Sequence, residues 1–193
     1  MTAAQLRTPE RLSPQAMGMA LFILSESVLF SMLFVSYFYL RSTVQEWPPE
    51  GVEVPRLASP LIATVILLSS SATMAWAERR AEAPGGRALR AGLAATFLLG
   101  AVFLSIQGRE WLNETMSVSD SAYASLFFTI TGFHGAHVIA GLGMNAFVQA
   151  VTWKQGRVTR NLIRNVSWYW HFVDVVWLFV IAVVYISPRL MGG

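Results

Sequence analysis

Five long apolar runs limit what this chain can fold into more than any other feature. Each is close to the roughly 20 residues that a helix needs to cross the hydrocarbon of a bilayer. Of the 193 residues, 54% are apolar and only 13% are charged, whereas globular proteins carry about 25% charged residues. The chain is therefore predicted to be an all-α integral membrane protein, a bundle of five transmembrane helices. The predicted spans are residues 17–40, 58–77, 91–107, 122–151 and 166–186.

The basic residues of the short loops are divided unevenly between the two sides of the membrane. Ten of the 14 Lys and Arg residues precede the first span or follow the second or fourth, and four lie on the other side. Because cytoplasmic loops carry the excess of Lys and Arg, we expect a cytoplasmic N-terminus and an external C-terminus. The predicted regions are a cytoplasmic segment (1–16), a transmembrane domain (17–187) and an external tail (188–193). The net charge of +3 fits contact with anionic lipid headgroups, and no nucleic acid partner is expected.

Several classes of function are excluded by what the sequence lacks. The chain has no cysteine, which excludes disulfides, thiolate metal sites and haem attached through Cys-x-x-Cys-His. The first 15 residues show neither the apolar core nor the cleavage site of a secretory signal, so we expect the first span to be retained. No repeat typical of a solenoid or an inverted-repeat transporter is visible.

Five titratable side chains fall inside the predicted spans. Glu26 lies in the first span, His134 and His137 in the fourth, and His171 and Asp174 in the fifth. A charge at bilayer depth costs at least about 2.5 to 3.5 kcal/mol, so such groups normally face protein or water. With a rise of 1.5 Å per residue, the five groups fall in one layer of the membrane. We expect them to face one another or a partner protein.

Each of these groups has a functional and a structural interpretation. Glu26 is either an acid that holds or passes a proton or a protonated acid that hydrogen-bonds a neighbouring helix. His134 and His137, three residues apart, share a helical face, which is typical of a haem or copper ligand pair. Four nearby glycines favour instead a close helix contact across which the histidines donate. For His171 and Asp174 we expect a buried pair, in which loss of one partner strands the other.

An acid and an aromatic residue lie at the end of the third span, outside the layer of the five buried titratable groups. Glu110 and Trp111 come at its outer end, and Trp111 suits the aromatic belt at the membrane interface. Three histidines without a cysteine are a poor set of ligands for a redox centre. No catalytic residue, metal ligand or cofactor is therefore expected in this chain.

Four sequence motifs occur in order over nearly the whole chain. They are Leu24–Phe30, Gln107–Trp111, Thr131–Val138 with Gly141, and Trp170–Trp177. Together they resemble the motifs of subunit III of haem-copper terminal oxidases, and the blocks His-Gly-x-His-Val and Trp-His-Phe-Val-Asp-Val-Val-Trp are highly specific. The chain resembles the five-helix bacterial form, which lacks the two N-terminal helices of the seven-helix mitochondrial type.

The resemblance implies an accessory subunit without haem or copper, in the bacterial cytoplasmic (inner) membrane. Its partners would be the catalytic subunit I and subunit II of a proton-pumping oxidase, which carry haem and copper, together with structural phospholipids. Cytochrome c or quinol would be the electron donor of the complex, not of this chain. The family supports proton uptake and protects the catalytic subunit from turnover-linked inactivation. Glu26 matches the family's membrane-embedded glutamate, which reacts with hydrophobic carbodiimides.

Three other functions are also considered for this chain. A quinol oxidase subunit III and the related protein encoded with nitric oxide reductases belong to the same family. A proton-coupled carrier that uses Glu26 and Asp174 belongs to a different class, and five helices without a repeat are a poor scaffold for it. Glu26, in place of the aspartate frequent in quinol oxidases, favours cytochrome c as the donor.

Overall fold

In the ranges that the computed structural model describes, residues 13–49, 51–52, 54–81, 86–155 and 160–191, the chain consists of helices joined by loops, with no strand. Five helices in these ranges are long and apolar enough to cross a membrane, so the predicted all-α bundle of five transmembrane helices is confirmed. They are α1 (Pro14–Ser42), α2 (Ala58–Arg79), α3 (Arg87–Asn113), α4 (Ala122–Gln155) and α5 (Arg160–Val180), the last continued by a π-helical segment (Ile181–Ile186) and α6 (Ser187–Met191).

The helices are longer than the apolar runs, most clearly at α3, which passes the predicted span of 91–107 at both ends. Of the predicted N-terminal segment, residues 1–12 lie outside the described residues, and α1 begins at Pro14. Of the predicted tail, residues 188–191 belong to α6, and residues 192–193 are outside the described part. The limits of the spans within the membrane and the side on which each terminus lies stay predictions.

α1 begins with a serine cap and a proline. The Ser13 hydroxyl accepts a hydrogen bond from the Ala16 N–H at 3.3 Å, and Pro14 occupies the first helical turn, where its missing N–H costs nothing. From this start the helix runs unbroken to Ser42. Glu26 and Phe30 are four residues apart along it and therefore lie on one face.

α5 is the central helix of the bundle. It packs against α1, α2 and α4, and α3 packs against α2 and α4. Trp170 and Trp177, both on α5, are almost completely buried. α1 packs mainly against α5 and α4, and its long apolar surface is exposed on the outside of the bundle.

Trp170 is seated in a notch that two glycines make possible. A Cβ on Gly100 of α3 would lie 2.8 Å from the indole Cη2, and a Cβ on Gly141 of α4 would lie 2.9 Å from the indole Cε3. The indole N–H donates to Ser70 Oγ of α2 at 3.0 Å. Trp170 thus joins α5 to three other helices, and any side chain at either glycine would displace it.

Two arginines fasten the end of the bundle at which α1, α3 and α6 finish, here called the C-terminal end. Arg41 of α1 donates to Ser187 Oγ at the start of α6. Arg189 of α6 donates to the carbonyl oxygens of Pro55 and Tyr185. The loop between α1 and α2 is thereby tied to the end of α5.

We expect Gly100→Ala to destabilise the bundle by about 1 to 3 kcal/mol, because an overpacked core must shift its side chains or backbone. Thermal unfolding in detergent, followed by circular dichroism, measures the change in midpoint. The control is Gly143→Ala on α4, where a new Cβ meets nothing within 4 Å, and which gains the same helix propensity. A Gly100→Ala midpoint equal to or above that of the control would contradict the notch.

Candidate functional site

A glutamate and a histidine from two helices meet within the bundle. Glu26 Oε2 of α1 lies 3.0 Å from His137 Nε2 of α4. The side chains are 20% and 12% exposed, respectively, so the pair is mostly enclosed but reachable from the surface of α1. Two of the five titratable groups singled out in the sequence are thus in direct contact.

The second nitrogen of His137 determines how many protons the pair holds. His137 Nδ1 lies 2.6 Å from the carbonyl oxygen of Phe133. A carbonyl only accepts, so Nδ1 carries a hydrogen and donates it. The 3.0 Å contact to Glu26 then needs one further proton, placed on the carboxyl oxygen or on Nε2. The pair therefore shares one proton between an acid and a base.

Aromatic side chains enclose this glutamate–histidine pair. The Phe30 ring, one turn along α1 from Glu26, meets the His137 ring edge-on at a centroid distance of 4.9 Å. The Tyr169 hydroxyl of α5 donates to the His137 carbonyl oxygen at 3.2 Å. The imidazole is thus held between α1 and its own helix, while α5 bonds the backbone of α4 at the same residue.

His134 does not join its neighbour. It is 0% exposed and packs against Trp177 of α5 and Phe103 of α3, at centroid distances of 4.9 and 5.7 Å. Neither ring nitrogen has a hydrogen-bond partner among the residues described. His134 and His137 therefore face different neighbours: α3 and α5 for one, α1 for the other. Of the two, only His137 has a hydrogen-bond contact to another helix in the described part of the chain.

His171 and Asp174 lie near each other without a hydrogen bond. His171 Nδ1 is 3.7 Å from Asp174 Oδ2 but only 2.6 Å from the Ser71 hydroxyl of α2. Asp174 is 4% exposed, and neither carboxyl oxygen has a hydrogen-bond partner in the described part of the chain. His171 and Asp174 are therefore near neighbours, as expected, but the hydrogen bond of the imidazole goes to Ser71.

Glu110 and Trp111 differ in how they meet the surface. Trp111 is 37% exposed, and its N–H donates to Thr131 of α4 at 3.2 Å. Glu110, expected at the interface, is only 7% exposed, and both carboxyl oxygens are shielded from water. The last turns of α3 pack against the bundle, which turns this acid inward at the C-terminal end.

No group of three or more His, Cys, Asp or Glu side chains in the described ranges is placed to hold a metal ion. The polar contacts are instead pairs. Glu26 with His137 is the contact that joins an acid and a base at hydrogen-bond distance.

The comparisons with known proteins agree with the motifs. The family model for cytochrome c oxidase subunit III matches residues 9–188. The chain belongs to the cytochrome c oxidase subunit III family. Among its relatives, the cytochrome c oxidase subunit 3 of Triticum aestivum is 40% identical over 177 residues, which cover 87% of this chain and 66% of that protein. The Thermostichus vulcanus protein of the same name is 34% identical over 181 residues, which cover 91% and 88%.

The chain spans about two thirds of the length of several of its relatives. The matched region is 66% of the Triticum aestivum and Arabidopsis thaliana proteins. The first and fourth helices, which carry the glutamate–histidine pair, both fall within the family match of residues 9–188. The pair therefore belongs to the part of the chain that these proteins share.

Residues that support the site were missed in the sequence because their partners are distant. Ser71 is 100 positions from His171. The Tyr169 hydroxyl on α5 bonds the backbone carbonyl of His137 on α4, 32 positions away. The run of three serines in the middle of α2, Ser69 to Ser71, was a usable signal, since hydroxyls at that depth commonly bond across helices.

Ser71→Ala is expected to lower the stability of this protein by about 0.5 to 1.5 kcal/mol, because His171 loses its 2.6 Å partner. Ser69→Ala is the matched control, since the Ser69 hydroxyl bonds only the Val65 carbonyl of its own helix. Thermal unfolding in the same detergent compares the two. If both variants unfold at the wild-type temperature, the serine–histidine contact contributes nothing.

Proposed function

We propose that this chain is a non-redox accessory subunit of a proton-pumping cytochrome c oxidase, packed against the haem- and copper-bearing subunits I and II. Membership of the subunit III family supports this, and the relatives named above are cytochrome c oxidase subunits. The observation that carries the proposal is the 3.0 Å contact between Glu26 and His137, an acid and a base side by side inside a membrane bundle.

The pair suits a proton-holding role better than a purely structural one. A buried acid beside a base changes its proton with little movement of heavy atoms, and the carboxyl is partly exposed at the surface of α1. A neighbouring subunit or an ordered water could therefore exchange a proton with it. In this proposal the pair supports proton uptake by the complex and limits inactivation during turnover.

The proposed placement is multi-pass in a bacterial cytoplasmic membrane, with the N-terminus inside. Basic residues at one end of the bundle support this orientation, because cytoplasmic ends carry the excess of Lys and Arg. That end, opposite Arg41 and Arg189, holds Arg79, Arg80, Arg87 and Arg90, of which the first three are exposed and the last is half-buried. Phospholipid is expected to cover the apolar outer surfaces, including that of α1. The C-terminal end then faces the outside.

Purification tests this function directly. We expect an affinity tag on this chain to co-purify subunits with haem and copper, and the complex to reduce oxygen with cytochrome c. A complex that accepts quinol alone or reduces nitric oxide would identify another member of the family. A solitary chain that drives substrate uptake in vesicles would favour a carrier instead.

Glu26→Gln is expected to leave the complex assembled and its initial oxygen consumption nearly normal, while proton uptake slows severalfold or inactivation per turnover rises. The glutamine N–H still donates to His137 Nε2, so the contact survives, but the side chain no longer takes up or releases a proton. Stopped-flow proton uptake and oxygen consumption over many turnovers measure the two effects.

The control is Glu46→Gln, which removes the same charge from an exposed position in the loop between α1 and α2. It should behave like wild type. Identical proton uptake and identical inactivation in Glu26→Gln and wild type would reject the proton role while leaving the accessory role in place.

A further inference from the structure

A buried acid forms part of the wall of a cleft at the C-terminal end of the bundle. The cleft lies between the start of α2 and the end of α3, and its volume is about 570 Å³. Glu110 is one of its lining residues, yet it is only 7% exposed. Neither of its carboxyl oxygens has a hydrogen-bond partner in the described part of the chain. An open cleft therefore borders on an acid that has no hydrogen bond there.

The groups on the protein side of Glu110 are short of hydrogen-bond donors. Gln107, one turn earlier on the same face of α3, is 4% exposed, and its amide oxygen also lacks a partner among the residues described. The Tyr185 hydroxyl of the π-helical segment lies beside the Glu110 carboxyl and accepts from Gln107 Nε2 at 3.5 Å. Three buried acceptor oxygens thus lie near one hydroxyl hydrogen.

A proton on Glu110 removes this shortage of donors. A carboxylate only accepts hydrogen bonds, whereas a protonated carboxyl group also donates one. A buried charge without a hydrogen-bond partner is so costly that such a group takes up a proton instead. The buried position of Glu110 therefore suits the neutral acid.

The cleft side of Glu110 offers the opposite environment. Arg56, just before α2, and Arg109, next to Glu110 on α3, are exposed and line the cleft. Glu114 also lines it and has an interaction of its own. With Glu110 turned inward, the lining carries two cations and one anion. A second carboxylate that turned outward would balance these charges and gain charge-assisted hydrogen bonds.

Tyr185 connects this acid to the end of the bundle. Its carbonyl oxygen accepts from Arg189 of α6, which also donates to the carbonyl oxygen of Pro55 on the cleft wall. The π-helical segment is bonded as well by the Tyr123 hydroxyl of α4, at 3.2 Å, and π-helical turns are frequent at functional sites. A movement of Glu110 away from Tyr185 would therefore affect α6 and the loop before α2.

We propose that Glu110 is a proton-dependent switch at this end of the protein. The neutral acid stays buried beside Gln107 and Tyr185, and the carboxylate turns into the cleft toward Arg56 and Arg109. Loss of the proton thereby loosens the contacts of α6. The inference requires neither the oxidase role nor the proton role of Glu26. The titratable and charged groups around the switch are Arg56 before α2, Arg109 and Glu114 on α3, Tyr123 on α4, Tyr185 on the π-helical segment and Arg189 on α6.

Infrared spectroscopy of the full chain in detergent tests the buried state. The carbonyl stretch of a protonated carboxyl group is separate from the bands of a carboxylate. We expect the wild type minus Glu110→Gln difference spectrum to contain this protonated-acid band at neutral pH. The control is Glu46→Gln, which removes an exposed acid at the same end of the bundle and should give no such band, because exposed glutamates are ionised there. Absence of the band with Glu110→Gln would overturn the proposal.

Hydrogen–deuterium exchange tests the movement. After correction for the intrinsic effect of pH, amide exchange in residues 181–191 of wild type should rise severalfold as Glu110 ionises at higher pH. Arg56→Gln/Arg109→Gln should need a pH higher by about one unit for the same rise, because the carboxylate loses its cationic partners. Arg79→Gln/Arg80→Gln, which removes two charges at the other end of α2, should follow wild type.

Two results of this second measurement would also overturn the switch. One is exchange that does not change with pH, and the other is an equal pH dependence in wild type and Arg56→Gln/Arg109→Gln. Because both proteins keep Glu110, the comparison is decisive even if Glu110→Gln fails to fold. Neither measurement involves oxygen reduction, so a failure of the proposed oxidase role would leave these outcomes unchanged.

Discussion

Hydrocarbon offers no hydrogen-bond partner, and this constraint shapes the bundle at every level. The backbone satisfies its own hydrogen-bonding groups by forming helices. The tryptophan side chains satisfy their indole N–H groups by donating to hydroxyl groups of other elements. Four indole N–H groups do so: Trp47 to Tyr37, Trp111 to Thr131, Trp170 to Ser70 and Trp177 to Thr64. Large apolar rings thus pack the core while their polar atoms fasten one helix to the next.

The same constraint explains why an acid and a base are paired where α1 meets the bundle. The rest of that seam is aromatic: Phe30 meets Phe172, and Phe34 meets Phe179. A lone carboxyl there would lack any partner, and a lone imidazole would turn toward its own helix only. Together Glu26 and His137 satisfy each other, which links the helix most exposed to the surroundings with the packed interior.

Charge at the two ends of the molecule serves different purposes. At the end where α2 finishes and α3 begins, exposed arginines are the basis of the proposed orientation, because cytoplasmic ends carry the excess of Lys and Arg. At the C-terminal end, two arginines fasten the loop and α6, and two remain at the mouth of a cleft.

The sequence by itself determined the five helices and the positions of the polar residues along them, because hydropathy and helical rise depend only on order along the chain. It also indicated which residues would be costly to bury, Glu26 and Asp174 among them. Tertiary structure alone decided the pairing. Local spacing suggested His134 with His137 and His171 with Asp174, yet His137 bonds Glu26 and His171 bonds Ser71, each about a hundred residues distant. Which faces meet depends on how the helices rotate and pack, and notches such as Gly100 and Gly141 around Trp170 set that rotation.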